Sequence, residues 1–371
     1  MKVTCNREKL AHAFGTVASV APQRSTKPIL QNVKLEVGDG RATLMATDLE
    51  VGIRYEVAGV EVTTPGAAVL SVGRFGSIVR ESTDESLQLE TDSAGVKVRG
   101  ERSQFNLPAE DPHEFPMVAQ FEEPAFVSVP VRLFRELVRR TIFATDNESS
   151  RYALGGVLLE LTPDHVIAVA TDGRRLAKME GPATASEAFS PTEGTTIVPG
   201  KAMQLLDRSL GDAETEVQLA LRDNAILVKS ERATVFAQLL QGRYPRWRDV
   251  FPEHRSGAKV ELVVGPLYSA VRQAAIFTSE ESRGVDFKFS EGTLVLSGQA
   301  ADVGQSRVEL PIPYDGDEVS VKLDPRFMID FLKVLDGGKS FTLEMKNSES
   351  AVIGYTDDGY SYVIMPLARD R

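Results

Sequence analysis

At 371 residues the chain exceeds one ordinary domain and suits two or three, each able to bury its own core. Its 42 Lys and Arg face 53 Asp and Glu, a net charge of −11 that argues against a nucleic-acid partner unless positive charge is gathered in one place. The single cysteine, Cys5, excludes an internal disulfide framework; with no signal-like N-terminus and no apolar run long enough to cross a membrane, the chain reads as soluble and cytoplasmic.

The first periodic segment, Arg7 to Val20, carries Leu10, Phe14 and Val17 at helical spacing and predicts a helix with one buried face. Alternating residues from Leu30 to Val37 predict a strand that turns at Gly38-Asp39-Gly40 into a second, which ends in Ala46-Thr47-Asp48. A short helix follows over Val72 to Ser82, then more alternating strands, and the proline-bearing stretch "NLPAEDPHEFP" closes the unit near residue 124.

The same order then begins again. Val131 to Thr145 places Leu133, Leu137 and Ile142 on one helical face, and "LGGVLLEL" from Leu154 overlays "LQNVKLEV" from Leu30. Leu30, Val33, Leu35 and Glu36 each find their like 124 residues later, and so do Thr47 and Asp48, in Thr171 and Asp172. The turn is Pro163-Asp164-His165; Pro199 and Gly211 bracket a second helix. "VQLAL" and "AILVKS" are strands, and "GRYPRWRDVFP" ends the unit at Pro252. A third copy, displaced by 252, puts Val285, Phe287 and Leu296 where Val33, Leu35 and Leu44 stood, between helices over Pro266 to Ser279 and Asp324 to Gly338. There Ala300 stands in place of Asp48. A period this long, with helices and hairpins inside it, is not that of a solenoid. The expected architecture is α+β, as three tandem domains over 1–124, 125–252 and 253–371.

Little catalytic chemistry is legible. Asp48 and Asp172 could be read as an acid/base pair, but equivalent places in tandem domains more simply hold residues that bond their own turns. His12, His113, His165 and His254 are scattered, and "HEF" at 113–115 lacks the second histidine of a zinc helix. Cys5 has no nearby histidine, and no phosphate-cradling glycine loop is present. The sequence therefore predicts no catalytic residue, no metal and no cofactor. Charge is more informative: five of the six helical segments are net positive and the sixth is neutral, so the acid excess lies wholly outside them. Such segregation points to a helix-built surface facing a polyanion, meeting its backbone without reading bases.

Five strings in register complete the pattern: "TDLEV" (47–51), "RYALGGVLLE" (151–160), "VATDGRRLA" (169–177), "GRYPRW" (242–247) and "YVIMPL" (362–367). Together they resemble the bacterial DNA polymerase III beta subunit family, the sliding clamps, over essentially the whole chain. The resemblance implies the DNA clamp fold, with two protomers closed head to tail into a ring around duplex DNA, helices lining the hole and sheets outside. It implies a non-catalytic processivity factor. The joint between protomers would set Phe105 and Leu107 against Ile276 and Phe277. A pocket between the second and third domains would take short Leu/Phe-bearing peptides from replicative and repair polymerases and the clamp loader. The positions matching it are Arg151, Leu154, Thr171, Gly173, Arg174, Arg175, Leu176, Pro245, Val250, Val363, Met365, Pro366 and Leu367. DNA contacts are implied at Arg24, Arg74, Glu148, Tyr152 and Lys201. The chain departs from the family pattern at Ala153, where an aromatic is common, at Asp249, where a base is common, and in the terminal "ARDR". Two other readings stand beside this one: a protein scaffold that never meets DNA, and a hydrolase using Asp48 and Asp172.

Overall fold

Among the described residues each α-helix follows a strand at once or after one capping residue. The computed structural model describes residues 1–146, 152–191, 195–251, 257–278, 284–300 and 304–368. The first unit runs β1 (Lys2–Asn6), α1 (Arg7–Ala18), β2 (Asn32–Gly38), β3 (Arg41–Thr47), β4 (Val51–Glu56), β5 (Val60–Thr64), β6 (Gly66–Ser71), α2 (Val72–Glu81), β7 (Ser86–Asp92), β8 (Gly95–Arg99) and β9 (Gln104–Pro108). The second repeats it with β10 (Val127–Pro130), α3 (Val131–Arg139), β11 (Gly156–Leu161), β12 (His165–Thr171), β13 (Arg175–Pro182), β14 (Thr184–Ala185), β15 (Thr196–Pro199), α4 (Gly200–Ser209), β16 (Glu216–Arg222), β17 (Ala225–Lys229) and β18 (Ala233–Gln238). The third has β19 (Ala258–Val263), α5 (Val264–Ala274), β20 (Val285–Ser290), β21 (Thr293–Ala300), β22 (Gly304–Pro311), β23 (Val319–Leu323), α6 (Pro325–Lys333), β24 (Ser340–Met345), β25 (Val352–Tyr355) and β26 (Tyr360–Ile364).

The strand-to-helix switch is set by capping. Asn6, Ser71 and Asp324 each turn a side-chain oxygen onto an amide of the first helical turn, satisfying a donor the helix cannot. Pro130 and Pro199 occupy the same place before α3 and α4, where a fixed φ suits the entry. Helix ends fall short of the periodic patterns. Thr141 donates its hydroxyl back to the Leu137 carbonyl at 2.5 Å, and α3 gives way to a 3₁₀ turn over Ile142–Ala144. α5 closes into a similar turn over Ala275–Phe277.

Each unit makes two half-sheets, and the units join by fusing them. β4 of the first unit pairs antiparallel with β18 of the second, giving a nine-stranded sheet β14-β10-β16-β17-β18-β4-β3-β2-β6. β13 pairs with β26, giving the eight-stranded sheet β15-β11-β12-β13-β26-β25-β24-β19. Two half-sheets stay single: β5-β1-β7-β8-β9 in the first unit and β22-β21-β20-β23 in the third. The helices pack in pairs, α1 with α2, α3 with α4 and α5 with α6, and α1 also meets α4 across the first junction. Alternation then sorts residues: Leu35, Leu44 and Ile53 face the helical core with Leu10 and Phe14, while Met45 faces outward with Phe115 and Val118.

The second junction is tied by ion pairs on the helical side. Arg140, buried, bonds Glu136 and reaches Asp358 at 2.8 Å. Burial pushes the Asp358 carboxyl up, but hydrogen bonds from Arg140 and Thr356 outweigh it and leave it below its usual value. A depressed folded pKa stabilises fully above the unfolded value, about 4, and stops doing so as pH falls through the lower folded value. The midpoint of chemical denaturation should therefore hold from pH 7 to 5 and fall below about 4, with the Asp358→Asn chain losing less over that lower range. An equal acid loss in both chains would count against this pair.

Candidate functional site

The two "ATD" turns are one structure built twice. Asp48 Oδ1 accepts from the amides of Glu50 and Val51, and Asp172 Oδ1 from those of Arg174 and Arg175. Thr47 and Thr171 each close the turn by donating to a carbonyl four residues on. The second carboxylate oxygens are also taken, by Lys201 for Asp48 and by Arg175, at 3.0 Å, for Asp172. Both acids are thus engaged by their own turns and a neighbouring cation. The turn needs a positive φ, supplied by Gly173 (85°) in the second copy and carried by Leu49 (80°) in the first, where a side chain makes it costlier. Burial pushes the Cys5 thiol up to about 12, far from a nucleophile's range.

An outer pocket forms at the second junction. Leu176, Val363 and Ile353 are successive register partners across β13, β26 and β25, so their side chains share a face. With Ala153, Leu158, Val169, Ile197, Tyr244 and Trp247 they form an apolar cluster separate from the main core. The segment 244–250 is pinned over it. Tyr244 donates to the Val169 carbonyl at 3.0 Å, and Trp247 Nε1 to Glu160 at 2.9 Å. Arg248 lies 4.2 Å over the Trp247 ring and grips both Glu160 oxygens, at 2.9 and 2.5 Å. Burial raises the Glu160 carboxyl, but Arg248 and Trp247 outweigh it and hold it below its usual value.

A hollow of about 630 Å³ lies against Glu160, Trp247 and Arg248, and two more flank the clasp. One, of about 480 Å³, is lined by Leu154, Ala153, Gly242, Tyr244 and Pro245. The other, of about 430 Å³, is lined by Asp249, Val250, Ile353 and Met365. Val250 and Met365 are 37% and 44% exposed, large apolar groups left in water at its rim.

The residues expected at the pocket therefore divide. Leu154, Leu176, Pro245, Val250, Val363 and Met365 come together on the outer face. Arg175 does not. It precedes Leu176 and so points to the opposite side of β13, where its guanidinium bonds Asp330 of α6 at 2.5 Å and the Phe143 carbonyl at 2.8 Å, over the rings of Phe327 and Phe143. Burial lowers its pKa, but Tyr362, Asp330 and Asp172 outweigh that and raise it. Arg175 is a bolt between units rather than a pocket wall, and Arg174 lines a hollow on that same side. Thr171 and Gly173 shape the turn behind. Pro366 and Leu367 lie past the strand end, where the Leu367 amide bonds the Lys322 carbonyl in β23. Neither lines the hollows. Arg151, Glu148, the Tyr152 side chain and the end of "ARDR" lie outside the described residues.

The first junction repeats the clasp over a hollow of its own, about 450 Å³, lined by Lys34, Glu36, Arg54 and the linker itself. Its linker carries Phe115-Pro116-Met117-Val118 where the second carries Tyr244-Pro245-Arg246-Trp247. The cross-strand pair is Gly52 with Phe236 rather than Leu176 with Val363, and Val118 packs against Gly52. The sequence expectations did not include Tyr244, Trp247 and Glu160 as site-builders, although the aromatic-proline pair in both linkers, Phe115-Pro116 and Tyr244-Pro245, was the available signal.

On the helical side all six helices are net positive, because α6 closes at Lys333 and leaves Asp336 outside. Arg74 on α2 and Arg24 in its loop are exposed, and neither has an acidic partner among the described residues. Lys201 is exposed too, but its ammonium is held by Asp48 of the first unit, so it ties a junction before it meets any ligand. At the edge strands β9 and β22 of the two unfused half-sheets, Phe105 on β9 and Ile276 beside β22 are 37% and 68% exposed, whereas Leu107 is 7% exposed and belongs to its own core. Phe277 lies against Gly304, where an added Cβ would sit 2.8 Å from its ring.

Comparison with known proteins agrees along the whole chain. Models of the DNA polymerase III beta subunit match in order: the N-terminal domain at 1–119, the central domain at 128–246 and the C-terminal domain at 248–368. The beta sliding clamp of Chlamydia pneumoniae is 31% identical over 371 residues, 99% of each chain. That of Caulobacter vibrioides is 29% identical over 376 residues, 99% of this chain and 100% of the other. Among solved structures, the DNA polymerase III subunit beta of Pseudomonas aeruginosa superposes with a TM-score of 0.89 at 26% identity, covering 100% of both chains. A sliding clamp of the same organism bound to griselimycin gives 0.90 at 26%, again over 100% of both.

Proposed function

The chain belongs to the DNA polymerase III beta subunit family, and on that premise we propose that two copies, each of domains 1–124, 125–252 and 253–371, close head to tail into a sliding clamp around duplex DNA. The observation that carries this reading is the repeated joint. At the first junction Val235 of β18 faces Ile53 of β4; at the second Tyr362 of β26 faces Ala177 of β13. Phe105 holds the same ladder position in the first unit, facing Val98 as Val235 faces Val228 and Tyr362 faces Gly354. Ser306 matches Ile53 and Ala177, facing Gly298 as they face Ala46 and Ala170. Both junctions thus specify one register for the free edges: Phe105 of one copy opposite Ser306 of the next, and Leu107 opposite Gly304. The absent side chain at Gly304 leaves Leu107 to meet the ring of Phe277. Pairing also covers two strand edges that would otherwise template aggregation.

In this reading the basic helices cross the phosphates without sequence preference, with Arg24, Arg74, Glu148, Tyr152 and Lys201 near the DNA. The outer hollows take Leu/Phe-bearing peptides of replicative and repair polymerases and the clamp loader. Such a pocket suits partner exchange: burying one Leu and one Phe stabilises by about 3–6 kcal/mol, and ordering the peptide costs about 2–5 kcal/mol. The protein works in the cytoplasm as a non-catalytic processivity factor. The test is topological. Loaded onto circular duplex that is then cut once, the protein should leave through the open ends; retention on linear DNA with free ends overturns the enclosure.

A further inference from the structure

The row of outer-face residues that begins with Leu176, Val363 and Ile353 does not end there. Ile353 faces Glu344 of β24, and Glu344 faces Lys259 of β19, so one face carries an apolar row that terminates in a carboxylate. Glu344 is 5% exposed, and its Oε2, fully buried, accepts no hydrogen bond among the described residues. The Lys259 ammonium stands 3.9 Å away, too far for one. A buried carboxylate oxygen without a donor is costly and uncommon. Glu344 lines the same 430 Å³ hollow as Val250 and Met365, along with Asp249, Glu349 and Lys346. Three acidic residues and one lysine thus line the hollow.

We propose that this end of the hollow is a cation subsite for an Arg or Lys side chain of the docked peptide, with Glu344 as its acceptor. The inference rests on reading the outer hollow as the peptide site. Spacing follows from the sheet: Val363 and Glu344 are two strands apart, roughly 10 Å at about 4.8 Å per strand, or about three residues of extended peptide. The favoured ligand carries its basic residue about three positions from the apolar residue seated on Val363. Charge complementarity selects this occupant, since an acidic or apolar side chain there would leave the Glu344 Oε2 without a hydrogen-bond donor.

Synthetic peptides with a Leu-Phe pair and Arg, Gln or Glu three positions to either side, titrated into the full chain, test it. On the unaltered protein the Arg peptide of one series should bind about tenfold more tightly than its Gln counterpart, and the Glu peptide more weakly. Glu344→Gln should bring the Arg-to-Gln ratio close to one, whereas a merely structural role would shift the melting temperature and leave the ratio. Equal binding of Arg and Gln peptides to the unaltered chain overturns the subsite while leaving the pocket intact. A ratio that survives Glu344→Gln overturns the assignment to Glu344. Failure of every peptide to bind would instead remove the pocket itself.

Discussion

Ile276→Asp is expected to give single chains of 40.5 kDa by sedimentation where the unaltered protein gives dimers. Ile276 is 68% exposed beyond the end of α5, so the substitution costs its own unit almost nothing. In the proposed joint it would sit beside Phe105 of a second copy, and an aspartate there is a charge buried without a partner. A dissociation constant raised at least about 100-fold corresponds to about 2.7 kcal/mol, modest for such a burial. Leu107→Ala is a poorer probe, because Leu107 already packs in the core of its own unit and its loss would weaken the fold as well as the joint. An unchanged mass for both Ile276→Asp and Phe105→Asp would remove this joint. In the proposed ring this joint differs from the two within the chain. The covalently linked junctions carry Lys201 with Asp48 and Arg175 with Asp330. At the equivalent places the third joint offers Gly73 and Ala300, then Ser77 and Gly304, none of them charged. A strand ladder closes it, with Arg307 and Glu309 exposed on β22 beside it.

The threefold order was legible because each level of signal agreed: helical and strand periods, turn residues at Gly40 and Gly292, and identical strings 124 residues apart. What escaped reading depends on partners distant in sequence. Both linkers place a proline after an aromatic residue, yet Gly52 meets Phe236 at the first junction and Leu176 meets Val363 at the second, which sets different walls to the hollows there. The burial of Glu344 is of the same kind, since a glutamate alternating on a strand reads as solvent-facing until Ile353 and Lys259 are known to flank it. Arg175 was different. Its direction followed from the period of two, which sets it opposite Leu176, and grouping 171–176 as one wall overrode that rule.

Met365→Ala combined with Val250→Ala is expected to weaken Leu/Phe peptide binding about 100-fold while leaving the dimer and its release from cut DNA unchanged. Both side chains are more than a third exposed in the free protein, so truncating them removes little from the core. Each would lose about 1–1.5 kcal/mol of apolar contact with the docked peptide, which is about tenfold apiece if the two add. Deleting residues 363 onward is a blunter route to the same end. It would strip Val363 and Ile364 from β26, both buried and both paired with β13, and so unfasten the third unit from the second. The double alanine variant separates the functions instead: the helical face and the free edges keep every residue they use. Peptide affinity unchanged in that variant would move the docking site off this face, since no large apolar side chains other than Val250 and Met365 stand exposed around the hollow among the described residues.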